Sequence, residues 1–588
     1  MHGVKSKIRE NKVILNLKSR VCESPFELLE SDFFKEVLWS YVNKLQNRES
    51  KDIKIFKNGE PTEEQIKTMI ETFVYLFKLE ADEVPKVVPG AEQFTQNKKL
   101  LNHFVEGLYT HWINFDRFMI MDSSGDKLYE RPYRTFDTTM ESLMHLVRHT
   151  YRKILESITG NHPKIYRQVH AGCEAGAIVK PVKIPNFDGK YEVLNDIGMI
   201  HQMMVHPPLI FDPPMNKRRG KFQPVDKNPL DYVDLKTDEW FCFPAKINDV
   251  LVHAYIHEKF YELGFNIANL FELAEREELD EQPDAIYLFG CQEGSLDAIN
   301  EELPTVYFDD KEKNMLVAAC PRDDQYGYFG YLKKMMLTLH NTIKMKQGLL
   351  PFHGSFFQLG LKGNKKVNIM MMGDSGAGKS ETLEALRLLG NEKIKDITII
   401  ADDMGSIVHE EDGSIKAYGT EIGAFLRLDD LQTGYAFEQI DRAIITNPSR
   451  VNARITIPIT DFDTISEGTK IDMLLYANNY EKVDDNTNFL DFFKTPEEAW
   501  DVFRSGAVMS KGTTETTGIV NVYFCNVFGA AQNPDLYDEI SKKYFKLFYE
   551  KGVKVGTVRT LLGVPGNEKG GPLKAATALL EYIENEMD

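Results

Sequence analysis

Residues 367–390 read VNIMMMGDSGAGKSETLEALRLLG. The segment 367–372 is rich in apolar residues and short enough for a buried strand. Gly373-Asp374-Ser375-Gly376-Ala377-Gly378-Lys379-Ser380 then fits G-x-x-x-x-G-K-[ST], and Glu381 follows. Leu383, Leu386 and Leu389 recur every three residues, and Gly390 is a helix stop. In such a loop the glycines let backbone N–H groups turn inward around phosphate oxygens, and the helix N-terminus adds its positive dipole end. Lys379 would reach the β- and γ-phosphates, and Ser380 would hold a divalent metal. The stretch predicts binding of a nucleoside triphosphate or a related polyphosphate.

At 588 residues the chain is too long for one core, so two to four domains are expected. Its composition, 42% hydrophobic and 27% charged, is that of a soluble globular protein. The longest apolar runs fall short of the ~20 residues that span a bilayer. The opening MHGVKSKIRENKVILNLKSR is basic but lacks an apolar h-region, so no secretory signal and a cytoplasmic location are expected. A net charge of −19 argues against nucleic acid as a partner but leaves room for a small anionic substrate. Six cysteines lie far apart, with no C-x-x-C pair, which reads as reduced thiols rather than disulfides or a zinc site.

Three regions follow in order. Residues 1–160 read as mostly helical, with three- and four-residue apolar spacing over 26–45, 63–79 and 140–158, and suit packing or oligomerisation. Residues 161–331 read as an α/β, substrate-side domain, rich in proline, with a helix over 250–276 and strands over 284–289 and 315–319. Two of its pieces could hold an anion: Tyr166-Arg167-Gln168 and the basic run Lys217-Arg218-Arg219-Gly220-Lys221. Residues 332–588 alternate strands (397–401, 453–459, 518–527) with helices (533–551, 571–586), which predicts an α/β or α+β domain around a mixed sheet. Asp402-Asp403 ends a strand about twenty residues after the phosphate loop, where Mg²⁺ or Mn²⁺ finds its carboxylate.

From Tyr328 to Val555 the chain resembles the phosphoenolpyruvate carboxykinases, most closely the ATP-dependent kind. Tyr328-Phe329-Gly330-Tyr331-Leu332-Lys333-Lys334-Met335-Met336 is similar to the family's Y-G-G-E-M-K-K-G-M, and Leu350-Pro351-Phe352-His353-Gly354-Ser355 to its [LS]-[PM]-x-H-C-S. Glu421–Arg427 resembles E-G-G-C-Y-A-K, Asn452–Ile459 resembles N-T-R-V-S-Y-P-I, and residues 505–515 resemble S-G-Y-T-A-K-V-A-G-T-E. The loop GDSGAGKSE with its ADD partner is also similar to HPr kinase/phosphorylase of the same superfamily. The resemblance implies a Mn²⁺ ion on Lys334, His353 and Asp403, and a Mg²⁺ ion on Ser380 and the triphosphate. It implies that Lys379, Arg427 and Arg454 offset phosphoryl charge, with Asp402 at the same centre, and that Tyr328 approaches the substrate. A lysine ligand must lose its proton, so its pKa has to be depressed strongly.

Departures accompany the matches. The loop ends Lys379-Ser380-Glu381 where the family has K-T-T, Tyr331 replaces a glutamate, and Arg427 replaces a lysine. The adenine-binding T-R-A pattern and the R-S-P-K-D-K-F segment are absent, which leaves Arg219 and Arg167 as candidates for the substrate carboxylate. The resemblance implies interconversion of oxaloacetate and phosphoenolpyruvate with ATP, GTP or pyrophosphate as donor. The HPr kinase-like loop implies an alternative, a protein-serine or small-molecule kinase with Asp402 or Asp403 as general base. A third reading is a nucleotide-binding regulator without turnover.

Overall fold

A computed structural model describes all residues except 1–4, 18–20, 123–131, 162–168, 182–186, 220–221, 276, 362–364, 375, 390–393, 432–438, 485–486, 511–517, 569 and 587–588. The chain is a mixed α/β protein with several mixed sheets, and it divides into two compact units. One comprises Met1–Val182 with Ile197–His206; the other comprises Lys183–Asp196 with Pro207–Asp588. Residues 161–331 are thus divided between the two units, and most of them share a unit with the phosphate loop. Among the described residues no helix is long and apolar enough to cross a membrane.

In the first unit β1 (Lys5–Arg9) and β2 (Lys12–Leu17) form an antiparallel hairpin. Strand β2 also runs parallel to β3 (Asp116–Asp122), which runs parallel to β4 (Ala175–Pro181); β5 (Gly198–Val205) closes antiparallel to β4. The helices are α1 (Asp32–Asn47), α2 (Glu63–Leu76), α3 (Lys98–Ile113) and α4 (Pro132–Thr159). Three starts have a local cause: Ser31 accepts from Phe34 N ahead of α1, Thr62 and Gln65 form a reciprocal capping box ahead of α2, and Asn97 accepts from Leu100 N ahead of α3. Leu38, Phe73, Leu101, Phe104 and Ile154 meet in the helical core. Arg117 is 2% exposed and ties β3 to the chain before β4, donating to the carbonyls of Gly172 and His170 and pairing with Glu174 at 2.8 Å.

In the second unit β6 (Trp240–Ile247) and β7 (Val250–His257) form a hairpin; β8 (Ala285–Cys291) lies parallel to β7, β10 (Met315–Pro321) parallel to β8, and β9 (Val306–Asp310) antiparallel to β10. The helix expected over 250–276 is therefore met only over 258–269, where Tyr261–Asn266 is α-helical between two 3₁₀ turns, and its first eight residues are β7. VLVHAYIH is a strand buried on both faces, and its continuous apolar content conceals the two-residue alternation. Helix α5 (Phe329–Lys346) packs against β7, β8 and β10.

His253, on β7, is fully buried, and neither ring nitrogen has a hydrogen-bond partner among the described residues. Burial pushes its pKa down to about 3. As pH falls below about 6.5 the unfolded chain takes a proton that the folded chain refuses, so stability falls from there toward about 3. In urea titrations between pH 7 and 4, His253→Leu should flatten this acid limb by one proton while stability at pH 7 stays equal or rises by about 1 kcal/mol.

The remaining elements surround the phosphate loop. Strand β11 (Leu350–Leu361) lies antiparallel to β12 (Lys366–Met372); helix α6 (Lys379–Leu389), β13 (Ile394–Ala401), β14 (Met404–His409) and β15 (Ile415–Gly419) follow. A small sheet contains β16 (Gly423–Arg427), β17 (Ile444–Thr446) and β18 (Arg454–Pro458). Then come β19 (Met473–Asn478), α7 (Pro496–Ser505), α8 (Pro534–Glu550), β20 (Lys554–Arg559) and α9 (Gly570–Glu586). Strands β12, β19 and β20 are mutually parallel. Met370 and Met372 point into a core with Tyr544 and Phe548 of α8, whereas Ile369 and Met371 point into another with Leu383 and Leu386 of α6 and Leu579 of α9. Helices on both faces explain why VNIMMM has no polar face. The strand expected over 518–527 is only Ile519–Asn521, because Phe524, Cys525 and Asn526 all turn left-handed, at φ 44°, 57° and 69°.

Candidate functional site

Strand β12 delivers the chain to the phosphate loop, and α6 begins at Lys379. Gly376 and Gly378 take φ +79° and +94°, the second beyond the left-handed well that other residues visit. A Cβ on Gly378 would lie 2.5 Å from Thr560 Oγ1, and one on Gly373 would lie 2.7 Å from Ala377 Cβ. Thr560 Oγ1, just beyond β20, donates to Ala377 O at 2.7 Å. Asn479 Nδ2, just beyond β19, donates to Gly376 O at 2.9 Å. The loop thus sits at the carboxyl ends of three parallel strands with carbonyls held by their neighbours, the usual place for a ligand in such sheets. Lys379 Nζ donates to Gly373 O and, at 3.3 Å, to Asp374 O. Ser380 is exposed on the first turn of α6 and Glu381 is half-buried, whereas Ser375 lies outside the described residues.

A buried ionic cluster adjoins this loop. Gly373 N donates to His353 O at 3.3 Å, and Asp374 Oδ1 lies 4.0 Å from His353 Nδ1. Helix α5 supplies Lys333 and Lys334, β11 supplies His353, and the β13–β14 turn supplies Asp403, pinned by Gly354 N donating to Asp403 O at 2.9 Å. Lys333 Nζ stands 2.8 Å from Asp403 Oδ2 and 2.8 Å from Glu421 Oε1, and His353 Nε2 stands 2.8 Å from Asp403 Oδ1. His353 Nδ1 lies 2.5 Å from Cys525 O. A carbonyl and an ionised carboxylate both only accept, so Nδ1 donates to Cys525 O and Nε2, the atom a metal would take, donates to Asp403 here. That carbonyl is aimed by the left-handed run 524–526, which contains no glycine and costs about 1–2 kcal/mol per residue.

The charges polarise one another. Burial would raise the Asp403 pKa, but the Lys333 and His353 charges override it and hold the carboxyl well below the usual range. Burial would lower Lys333, but Asp403 and Glu421 override it and raise the ammonium. Burial, with the Asp403 charge added, pushes Glu421 up to about 7 despite Lys333. Lys334 moves the other way: burial and the neighbouring Arg218 and Lys333 charges push it down to about 8, against Asp403 and Asp374. Two consecutive lysines therefore differ, and the one expected to ligate a metal is the one whose proton is loosened. Lys334 Nζ lies 5.0 Å from the Phe528 ring centroid, and the His353 ring lies 5.9 Å from it.

No protein-family model matches this chain, and no curated protein matches it.

Of the other expected residues, Arg454 on β18 lies with its guanidinium 5.3 Å over Phe425, and its buried Nε has no hydrogen-bond partner among the described residues. Tyr328, ahead of α5, is 6% exposed; burial raises its phenol, while Arg454, Lys333 and Arg218 pull it back. Arg427 faces Arg454 in strand register, but its Nε donates to Asp429 Oδ1 at 3.0 Å. Asp402 is half-buried and raises Glu421 electrostatically. The Arg219 side chain is exposed while its backbone N donates to the Tyr331 hydroxyl at 3.0 Å; Arg167 lies outside the described residues.

Three residues given no role from sequence stand in the cluster, Lys333, Glu421 and Phe425, together with Arg218 from the basic run expected to hold an anion. Phe425 is ringed by Lys333 (5.8 Å), Arg454 and Phe329 (5.1 Å). The signal available for Glu421 was a carboxylate inside the otherwise apolar run EIGAFL. A centre of three His, Cys, Asp or Glu side chains is absent among the described residues, so a metal here depends on Lys334. A neutral amine, an imidazole Nε2 and a carboxylate form a donor set that fits a divalent ion such as Mn²⁺. The orphaned Arg454 Nε fits an anion.

Proposed function

We propose that the second unit is a nucleotide-dependent, phosphoenolpyruvate carboxykinase-like enzyme, with β12, α6 and their neighbours as its nucleotide-binding part. The observation supporting this is the contact of a glycine-cradled phosphate loop with a cluster of buried Lys333 and His353 and half-buried Lys334 and Asp403. In the reaction the C–C bond of oxaloacetate breaks, CO₂ leaves, and the electron pair forms an enolate. The enolate oxygen then takes the terminal phosphoryl group of ATP, GTP or pyrophosphate, and ADP, GDP or inorganic phosphate leaves. Lys379 and Arg454 offset charge on that group, and Tyr328 and Arg218 face the small anion. Lys334, His353 and Asp403 would hold Mn²⁺, and Ser380 with the phosphates Mg²⁺, supplying Lewis-acid stabilisation of enolate and phosphoryl oxygens. His353 is kept in the Nε2-outward orientation by Cys525 O, and Asp403 is kept ionised by Lys333.

A hydroxyl kinase with Asp403 as general base fits less well, because a carboxylate held so far below its usual range is a weak base. Asp402 remains the base for that reading. A regulator without turnover does not call for the lysine pair.

Purified protein with Mn²⁺, oxaloacetate and ATP, GTP or pyrophosphate should yield phosphoenolpyruvate with at least one donor. Lys334→Ala should cut turnover about 100-fold or more while nucleotide affinity stays within about threefold. No product with any donor, together with a phosphorylated protein or metabolite from a lysate, would replace this reading by the kinase.

A further inference from the structure

The first unit contains a second candidate site that the proposed reaction does not use. Between α1, α3, α4 and β2 lies a cavity of about 120 Å³ whose lining is almost wholly apolar. Leu17, Phe33, Leu108, Trp112, Leu143 and Val147 form its walls. The two aliphatic hydroxyls on the wall are already committed: Ser31 Oγ donates to Leu28 O at 2.8 Å and Thr150 Oγ1 donates to Leu146 O at 2.8 Å. The Trp112 Nε1 donates to Ala171 O at 2.8 Å, and the Tyr151 hydroxyl to Glu106 at 2.7 Å. Water entering this space would find few polar groups to meet the two to four hydrogen bonds it needs, since Ser31, Thr150, Trp112 and Tyr151 spend theirs elsewhere. An engineered apolar cavity of about 150 Å³ stays dry and takes up benzene, so the volume suits a ring or the end of an alkyl chain. A void of this size also costs stability in proportion to its volume, which a bound apolar group would recover.

The half-buried edge of the cavity indicates what the rest of the ligand carries. Tyr109 and Tyr151, both lining it, stack at 3.8 Å. Arg148 and Arg152 act on Tyr109 from α4, with Glu106 opposing them. Two arginines against one glutamate leave this edge with an excess of positive charge, in a chain whose net charge is −19. A local cationic surface beside an apolar cavity selects a molecule with an apolar end and an anionic head.

We propose that this cavity is a binding site for a small anionic amphiphile, an alkyl or aryl carboxylate whose hydrocarbon end enters between Leu108 and Val147.

Octanoate serves as the probe, titrated calorimetrically into the full-length protein, with octylammonium as its charge-reversed control. Octanoate should bind saturably, one per chain, and at least tenfold more tightly than octylammonium. Val147→Phe and Leu143→Trp each fill the cavity. Either one, if folded, should weaken octanoate at least tenfold while raising the thermal midpoint. Arg148→Gln with Arg152→Gln should weaken octanoate several-fold and leave octylammonium no weaker. Absence of saturable octanoate binding at millimolar concentration, or binding that survives a folded filling variant, would overturn the proposal. Equal affinity for octanoate and octylammonium would overturn the anionic head.

Discussion

Lys333→Met is expected to lower the unfolding free energy by about 3–5 kcal/mol, the range for stripping a partner from a buried ionic group. Lys333 is 3% exposed and stands 2.8 Å from both Asp403 and Glu421. Without the ammonium, two buried carboxylates face each other and both hold protons more tightly than in the unfolded chain. Glu421, already pushed up to about 7 with Lys333 present, rises further. A carboxyl whose folded pKa lies above its unfolded value stabilises at low pH and loses that contribution as pH climbs through the folded value. The variant should therefore be more stable at pH 5.5 than at pH 8, in guanidinium titrations at both. Lys333→Met with Glu421→Gln should recover part of the loss, because Asp403 keeps His353 at 2.8 Å. A Lys333→Met cost under about 1 kcal/mol would mean the three charges are not coupled.

Gly378→Ala should weaken nucleotide binding about 100-fold, near 2.7 kcal/mol, with a smaller loss of stability. Two causes act together: φ +94° is poorly open to a residue with a side chain, and the new methyl meets Thr560 Oγ1 at 2.5 Å. Thr560 cannot simply withdraw, since its hydroxyl holds Ala377 O. The loop must yield instead, and its N–H groups lose their common focus. Fluorescent-nucleotide titration would measure this, and an affinity within threefold of wild type would show that the loop does not cradle the phosphates.

The parts of the fold legible from sequence were those whose cause is local. VNIMMM followed by GDSGAGKS announces strand, loop and helix because each residue's role depends on its immediate neighbours, and Lys366–Met372 and Lys379–Leu389 form where expected. His353 was singled out through the carboxykinase resemblance and Asp403 through its place at a strand end beyond the phosphate loop, and the two meet at 2.8 Å. Glu421 escaped notice because its partner lies 88 positions earlier and nothing in EIGAFLR announces a buried cation. Arg218 and Arg219 are indistinguishable in KRRGK; which one turns inward depends on packing beside Phe222. The parallel pairing of Lys12–Leu17 with Asp116–Asp122 joins segments a hundred residues apart, which no short window contains. Over 250–257 the apolar content was right and the period misread, whereas the helical reading holds over 258–269.

The Cys525 carbonyl that orients His353 has a consequence for how this protein is dissected. Alanine scanning removes side chains and leaves every carbonyl in place, so a survey of the cluster would report Asp403 at Nε2 but no partner for Nδ1. Cys525→Ala should look silent even though position 525 sets the ring. The group becomes visible only through backbone chemistry: an ester in place of the amide that follows it, which weakens the carbonyl as an acceptor, or a glycine at 524 or 526 that lets the turn relax. A residue that appears dispensable by its side chain would then prove to be the hinge on which the imidazole is hung.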